Sequence, residues 1–392
     1  MLEKKIRNAS TSGLRFGEIF SLNVGIFSPT FSIFGGGELV AATIANTLAE
    51  NNYNARLFTY GKIYQRELKK YFGKRLHPSI EVVVTPSFIR SNELLSFYQN
   101  IFRSYYFKSK CDIWIDVYSN CILPWTNIDY IHFPLLNHYF FKPKFPYIKG
   151  RDIKAIGVLP YIILEKYIAN NMEKLVLANS CYTAAEIEKF YGIKAKVLYP
   201  PVSSINFNIA YSARTQRKNI VVSISRFAYS KQLDKILYVA LATPRDIRFV
   251  IMGRVHNRDA LSHLQKLIKK FDLIDRMTLF PNISRFKMLQ ILKSAKVYLH
   301  TTVGEHFGIS IAEAMASGCI PIVHDSGGPK EFVPEEFRYK DIKEAAIKVA
   351  KEIYEWSPSK SRRMTKIAER FRDKQFSANF LKLFENYIEN FL

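Results

Sequence analysis

Short apolar runs alternate along this chain with longer stretches of helical periodicity. In the first half, Asn23 to Pro29, Arg56 to Tyr60, Glu81 to Thr85, Asp112 to Asp116, Ile128 to Phe133, Leu175 to Ser180 and the segment KVLYP read as strands. In the second half, Ile220 to Ser225, Arg248 to Gly253, Met277 to Phe280, Val297 to His300 and Cys319 to His324 do the same. Between them lie helical patterns: LVAATIANTLAE, Leu159 to Asn171, TAAEIEKFYG, Leu261 to Phe271, Phe286 to Ala295, Ile342 to Trp356 and a last stretch running to Leu392. Strands alternating with helices define an α/β chain.

The 392 residues, 48% of them hydrophobic, suffice for two cores, since one core rarely serves more than about 250 to 300 residues. Consecutive prolines at Pro200 and Pro201 cannot extend a sheet and mark a boundary. The expected domains are residues 1–202 and 203–374, with the polar stretch Ser203 to Arg217 as linker.

Charge narrows the partners. The 57 Lys and Arg against 34 Asp and Glu leave +23, which calls for anionic partners without choosing among nucleic acid, anionic lipid and phosphorylated substrates. Cys111, Cys121, Cys181 and Cys319 are widely spaced with no C-x-x-C pair, so they are expected to be buried small hydrophobes in a reducing interior. The first twenty residues show no apolar leader segment, and no run of about 18 apolar residues occurs, so neither signal peptide nor membrane span is expected.

Candidate chemistry concentrates between Val297 and Pro329, a strand, loop, helix, strand and Gly-Gly-Pro turn. Ser310 and Glu313 stand at capping-box spacing, predicting a helix from Ser310 to Gly318. Its free amides would face the loop from Gly304 to Ile309 and favour an anion. Glu305 and Glu313 would repel a bare phosphate; a nucleotide sugar supplies phosphates for the amides and hydroxyls for the carboxylates. The plainer reading is a capping box and one solvated Glu.

Elsewhere, Gly36 and Gly37 follow a strand and precede a helix, where a phosphate can approach backbone amides. Arg226 and Lys231 flank a helix expected to begin near Gln232, two cations suited to a diphosphate. His132 ends a strand, where open parallel sheets bind ligands. Two basic, aromatic segments, Phe88 to Lys110 and Tyr139 to Lys154, suit a bilayer surface, although the first reads equally as a helix packed on the sheet and the second also suits single-stranded nucleic acid.

The segment EHFGISIAEAMASGCIPIVHDSGGPKEF closely resembles the signature of retaining GT-B glycosyltransferases of family 4, above all those adding mannose to lipid-linked oligosaccharides. The resemblance implies two Rossmann-like domains with parallel sheets facing an interdomain cleft, and a last helix, about 375–392, returning to the first domain. It implies that Glu305 contacts the donor sugar and Glu313 the ribose, that Arg226 and Lys231 neutralise the leaving diphosphate, and that His132 faces the reacting sugar. The amides of Phe307, Gly308, Ile309 and Ser310 would assist, Gly36 and Gly37 would lie near the diphosphate, and the turn holding Asn282 and Ile283 would lie against the base. The family often has Gly where Asn282 stands, and Asn tolerates the left-handed conformation such a turn needs.

The implied donor is GDP-mannose, with UDP-glucose or UDP-N-acetylglucosamine as alternatives. No metal or other cofactor is expected. The acceptor would be a lipid-linked glycan reached by a cytoplasmic enzyme peripheral to an anionic membrane. A sugar-nucleotide epimerase of similar shape would also need a buried acid and base. A nucleic-acid-binding protein would account for the charge but not for Glu305, Glu313 and the capped loop, and no nucleic-acid partner is expected.

Overall fold

The computed structural model describes residues 22–29, 31, 35–85, 87, 93–134, 167, 173–212 and 217–391. The basic segment with Lys142, Lys144, Lys149, Arg151 and Lys154, the helix expected over Leu159 to Asn171 apart from Tyr167, and the first twenty residues lie outside them. Two compact units emerge: residues 1–69, 74–201 and 374–392 form one, and residues 70–73 and 202–373 the other.

The first unit contains β1 (Asn23–Phe27), α1 (Gly36–Glu50), β2 (Asn54–Thr59), α2 (Gln65–Phe72, its residues from Lys70 on counted with the second unit), β3 (Glu81–Val84), α3 (Glu93–Lys108), β4 (Ile113–Asp116), β5 (Ile128–Ile131), β6 (Leu175–Ala178), α4 (Cys181–Tyr191) and β7 (Lys196–Val197). Its strands run in the order β3-β2-β1-β4-β5-β6-β7, all paired parallel. Phe27, Phe58, Phe107 and Trp114 pack as one aromatic cluster, the Phe58 and Trp114 rings 4.8 Å apart edge to face. The cysteine expectation fails at Cys181, which is exposed at the start of α4; Cys121 and Cys319 are buried.

The second unit contains α5 (Ser204–Ser212), β8 (Lys218–Ile224), α6 (Asp234–Leu241), β9 (Arg248–Gly253), α7 (Arg258–Lys270), β10 (Met277–Pro281), α8 (Arg285–Ser294), β11 (Ala295–His300), α9 (Ile309–Ala316), β12 (Ile320–His324), β13 (Arg338–Tyr339), α10 (Ile342–Tyr354) and α11 (Pro358–Ala368). Strand order is β10-β9-β8-β11-β12-β13, again parallel. That order reverses between β8 and β11. In a doubly wound sheet the loops leaving the two strands at such a reversal enclose the ligand crevice.

Two expectations are corrected. The polar stretch after Ser203 is not a linker throughout: Ser204–Ser212 is a helix, because Asn206 and Phe207 turn inward and are fully buried. The last helical stretch is two helices, α11 and α12 (Asp373–Phe391), since Ser357 caps the first and a short 3-10 turn separates them. In the first unit Phe384 of α12 stacks edge to face on Tyr53, centroids 5.2 Å apart.

Candidate functional site

Loops leaving β8 and β11 bring Lys231 and Glu305 together. Lys231 Nζ lies 2.7 Å from Glu305 Oε2, and His300 Nε2, on the last residue of β11, lies 3.1 Å from the same oxygen. Glu305 Oε1 has no hydrogen-bond partner among the described residues and is not sealed from solvent. Burial works to raise this carboxyl, but Lys231 and the hydrogen bond from His300 outweigh it and hold the group well below its ordinary 4.5. Glu305 is therefore a carboxylate at neutral pH. Arg226 is exposed on the loop after β8.

The capping box expected of Ser310 and Glu313 does not form. Helix α9 begins one residue earlier, at Ile309, and its N-cap is Gly308 at φ +87°, a conformation that needs no capping side chain and suits glycine. Ser310 instead lies in the first turn, its hydroxyl 2.8 Å from that of Tyr298. Glu313 faces inward: Arg285 Nη1 donates to its Oε1 at 2.5 Å, and Arg285 Nη2 donates to Asn206 Oδ1 at 2.5 Å. Asn206 Nδ2 closes the network by donating to the Glu313 carbonyl at 3.2 Å and to Ser317 Oγ at 3.0 Å. Glu313 Oε2, like Glu305 Oε1, is left open.

Between the two carboxylates, the amides of Gly308, Ile309 and Ser310 have no protein acceptor among the described residues, as the first turn of a helix leaves them. Phe307 gives only its backbone to this region; its ring is buried against Phe332 and Phe371, each 5.1 Å away. The Gly-Gly-Pro turn holds the Glu305 loop from behind. Gly328 N donates to the Glu305 carbonyl at 2.9 Å, and a Cβ on Gly327 would stand 2.2 Å from that carbonyl oxygen. Asn282 adopts the left-handed conformation expected of it, φ +54°, and Ile283 beside it is half-buried at the entrance to α8.

The first unit holds the other candidates. Gly36 and Gly37 lie in the first turn of α1 rather than in a preceding loop, with Gly35 as N-cap donating to Glu38 Oε2 at 2.9 Å. Gly37 backs onto His132: a Cβ there would come within 3.2 Å of Nε2. Nε2 lies 3.1 Å from the Val117 carbonyl, so it carries the proton and Nδ1 is the acceptor. Burial pushes His132 down to about 4, against that hydrogen bond, which works to raise it. His132 is thus neutral at physiological pH. Among the described residues no group of three or more His, Cys, Asp or Glu is placed to hold a metal ion.

Residues 205–371 match the family model described as glycosyl transferases group 1. This stretch of the chain is similar to that family. The GDP-Man:Man(3)GlcNAc(2)-PP-Dol alpha-1,2-mannosyltransferase of Dictyostelium discoideum is 30% identical over 277 residues, covering 62% of this chain and 54% of the relative. The human protein of the same name is 27% identical over 247 residues, 56% of this chain and 49% of its own. The chain thus spans about half the length of the curated relatives it matches. Among solved structures, Anabaena HepE in complex with UDP and glucose matches 92% of this chain and 98% of its own at a TM-score of 0.71 and 16% identity. The fold is GT-B.

Within this glycosyltransferase group 1 domain, three residues around the carboxylates escaped the sequence reading. The sequence places His300 only at the end of a strand and Asn206 in a linker, and Arg285 falls just outside the helix expected from Phe286 to Ala295. Arg285 carries no signal in the sequence; only its burial in the structure, where an arginine is rarely found without a partner, points to Glu313. Asn206 carries none, because its role depends on a helix the polar sequence does not announce.

Proposed function

We propose that this chain is a retaining mannosyltransferase that moves mannose from GDP-mannose to a hydroxyl of a lipid-linked glycan, without a metal ion. One observation carries the reading: Glu305 and Glu313 are each held by a cation through one oxygen and open at the other, and in sequence they flank the first-turn amides of α9. Carboxylates so held accept hydroxyl hydrogen bonds in fixed directions, while the amides receive phosphate. In this reading Glu305 orients the hexose and Glu313 the ribose. Ile283 borders the base, and His132, Gly36 and Gly37 are the candidate site residues of the first unit. Rate comes from charge on the departing diphosphate being met by Arg226, Lys231 and the amides of Phe307 to Ser310.

The GDP and mannose assignments rest on the names of the curated relatives, whose acceptor is a pyrophosphoryl-dolichol glycan. UDP-glucose or UDP-N-acetylglucosamine is the alternative donor. A ligand that binds only the folded state raises the melting temperature. Stabilisation by GDP and GDP-mannose but not by UDP, UDP-glucose or UDP-N-acetylglucosamine, with no metal added, is the expected result. Stabilisation by uridine compounds alone would move the donor assignment, and none by any nucleotide would overturn the reading.

A lipid-linked acceptor calls for work at a membrane surface on the cytoplasmic side, and α3 supports it. This helix turns Asn100 and Ser104 inward, where Tyr60 donates to Asn100 and the indoles of Trp114 and Trp125 donate to Ser104. It turns Phe102, Tyr105 and Tyr106 outward, 69%, 59% and 59% exposed, next to exposed Lys108 and Lys110. The inner face also carries Phe107 of the aromatic core, so the outward aromatics are surplus to the packing of the helix; exposed aromatics beside basic residues are more than a face meeting only water carries, and they match an anionic interfacial layer. No helix of the described residues is long and apolar enough to cross a membrane.

A further inference from the structure

Resting on the reading that Glu305 orients the donor sugar, we infer that His300 is the positioning residue that keeps Glu305 aimed when the donor's diphosphate engages Lys231. Both side chains meet Glu305 through Oε2, at 2.7 Å from Lys231 and 3.1 Å from His300, so the carboxylate is turned with Oε1 outward. The two partners are not equivalent. The Lys231 side chain is 20% exposed and sits on a one-turn 3-10 helix, whereas that of His300 is 4% exposed and sits on the end of β11.

His300 is fixed on three sides. Its carbonyl accepts from the Tyr339 hydroxyl at 3.0 Å, its Nδ1 lies 3.4 Å from the Tyr298 hydroxyl, and its ring stacks on Tyr298 at an interplanar angle of 15°. Tyr298 in turn is held at the Ile224 carbonyl, 3.2 Å, and at Ser310 Oγ, 2.8 Å. A carboxylate only accepts, so Nε2 carries the proton and Nδ1 is an acceptor; the Ile224 carbonyl also only accepts, so the one Tyr298 proton serves one of these acceptors at a time.

Lys231 has two claimants. An ammonium with three rotatable donors on a flexible stem can turn from a carboxylate to a diphosphate bearing more charge. When it does, Oε2 keeps one donor, and that donor is His300. Nothing else among the described residues hydrogen-bonds this carboxylate. Without His300 the carboxylate is free to rotate or to follow the ammonium, and Oε1 leaves the position that meets the sugar. The loss then falls on turnover of bound donor rather than on nucleotide binding.

The experiment compares His300→Leu, His300→Gln and His300→Asn with Glu305→Gln, using GDP-mannose and a Man(3)GlcNAc(2)-pyrophosphoryl lipid of the kind named for the relatives. Melting temperature is recorded for each variant and GDP affinity by calorimetry. His300→Leu is expected to lose on the order of 10²-fold in kcat, the scale of a misplaced reacting group, with GDP affinity and the KM for GDP-mannose nearly unchanged. His300→Gln, which returns an amide donor near the position of Nε2, should restore most of that loss. His300→Asn, folded but too short to reach, should not. Wild-type kcat in His300→Leu and His300→Asn while Glu305→Gln is inactive would overturn the inference alone. So would a His300→Gln enzyme as slow as His300→Leu, since packing rather than the hydrogen bond would then matter. Full turnover in Glu305→Gln would instead overturn the reading beneath it.

Discussion

Arg285 and Glu313, 28 residues apart in sequence, meet at 2.5 Å with both side chains 9% exposed. An ion pair this deep repays its desolvation only while both partners are present. Arg285→Met leaves a buried carboxylate without a counter-charge and strips Asn206 of its donor. The expected cost is about 3–5 kcal/mol, read as a lower urea midpoint, with weakened GDP binding. A change below about 1 kcal/mol, the scale of an exposed pair, would show that the contact holds nothing in place.

Lys231→Ala and Glu305→Ala should each remove most turnover while leaving the fold intact. For Lys231 the expected loss is about 10²–10³ in kcat, the scale of one charge-stabilising donor. Glu305 also sets a pH behaviour. Its folded-state pKa is depressed, so the stability it contributes is present above its unfolded value near 4.5 and is lost as pH falls through the lower folded value. Any acid limb of kcat above pH 5 therefore belongs to another group. Lys231→Ala removes the charge that opposes burial, so the acid limb of its residual activity should move up; a limb left where it was would contradict this assignment.

His132 gives a second pH signature. It is neutral in the fold down to about 4 but titrates near 6.5 when unfolded. The unfolded chain then binds more protons between those values, so the His132 contribution is intact above 6.5 and is lost as pH falls toward 4, at no more than about 1.4 kcal/mol per pH unit. His132→Gln should flatten the stability profile in that window. An unchanged slope would mean that His132 is not held neutral.

Much of this architecture is legible in the sequence because apolar runs and glycine turns are local signals. The strand ending at His300, the Gly-Gly-Pro turn and the left-handed Asn282 all stand where they were expected. The start of α9 was misplaced because Ser310 and Glu313 satisfy the capping-box spacing while tertiary partners, Tyr298 and Arg285, claim both side chains. Helix α5 was missed because its polar positions include Asn206, which is buried for the sake of hydrogen bonds to Glu313 and Ser317 rather than for apolar area.

Gly327 has a backbone reason to be glycine. At φ +72°, with a Cβ placed 2.2 Å from the Glu305 carbonyl oxygen and 3.0 Å from its nitrogen, any side chain pushes the Glu305 loop away. Gly327→Ala should lower the melting temperature and cut turnover more than it cuts GDP affinity. Gly61→Ala, where a Cβ meets nothing within 4 Å, is the control and should change neither. Equal behaviour of the two variants would remove the Gly-Gly-Pro turn from the site.

The outward aromatics of α3 give the last prediction. Phe102, Tyr105 and Tyr106 take no part in the Asn100 and Ser104 hydrogen bonds on the inner face. Tyr105 and Tyr106 do meet Trp125 and Phe107 edge to face, so changing all three to Ser should lower the melting temperature modestly while the protein stays folded. Interfacial binding scales with buried apolar area plus attraction of basic residues to anionic lipid, about 1 kcal/mol for each Lys or Arg near the surface. Sedimentation with phosphatidylcholine vesicles containing phosphatidylserine should thus fall sharply for the triple variant. Lys108→Gln with Lys110→Gln should produce a smaller loss that added salt reproduces in the wild type. Turnover on a short soluble acceptor should survive both sets of changes, because neither touches the carboxylates. Wild-type vesicle binding by the triple variant would place the membrane contact elsewhere on the protein.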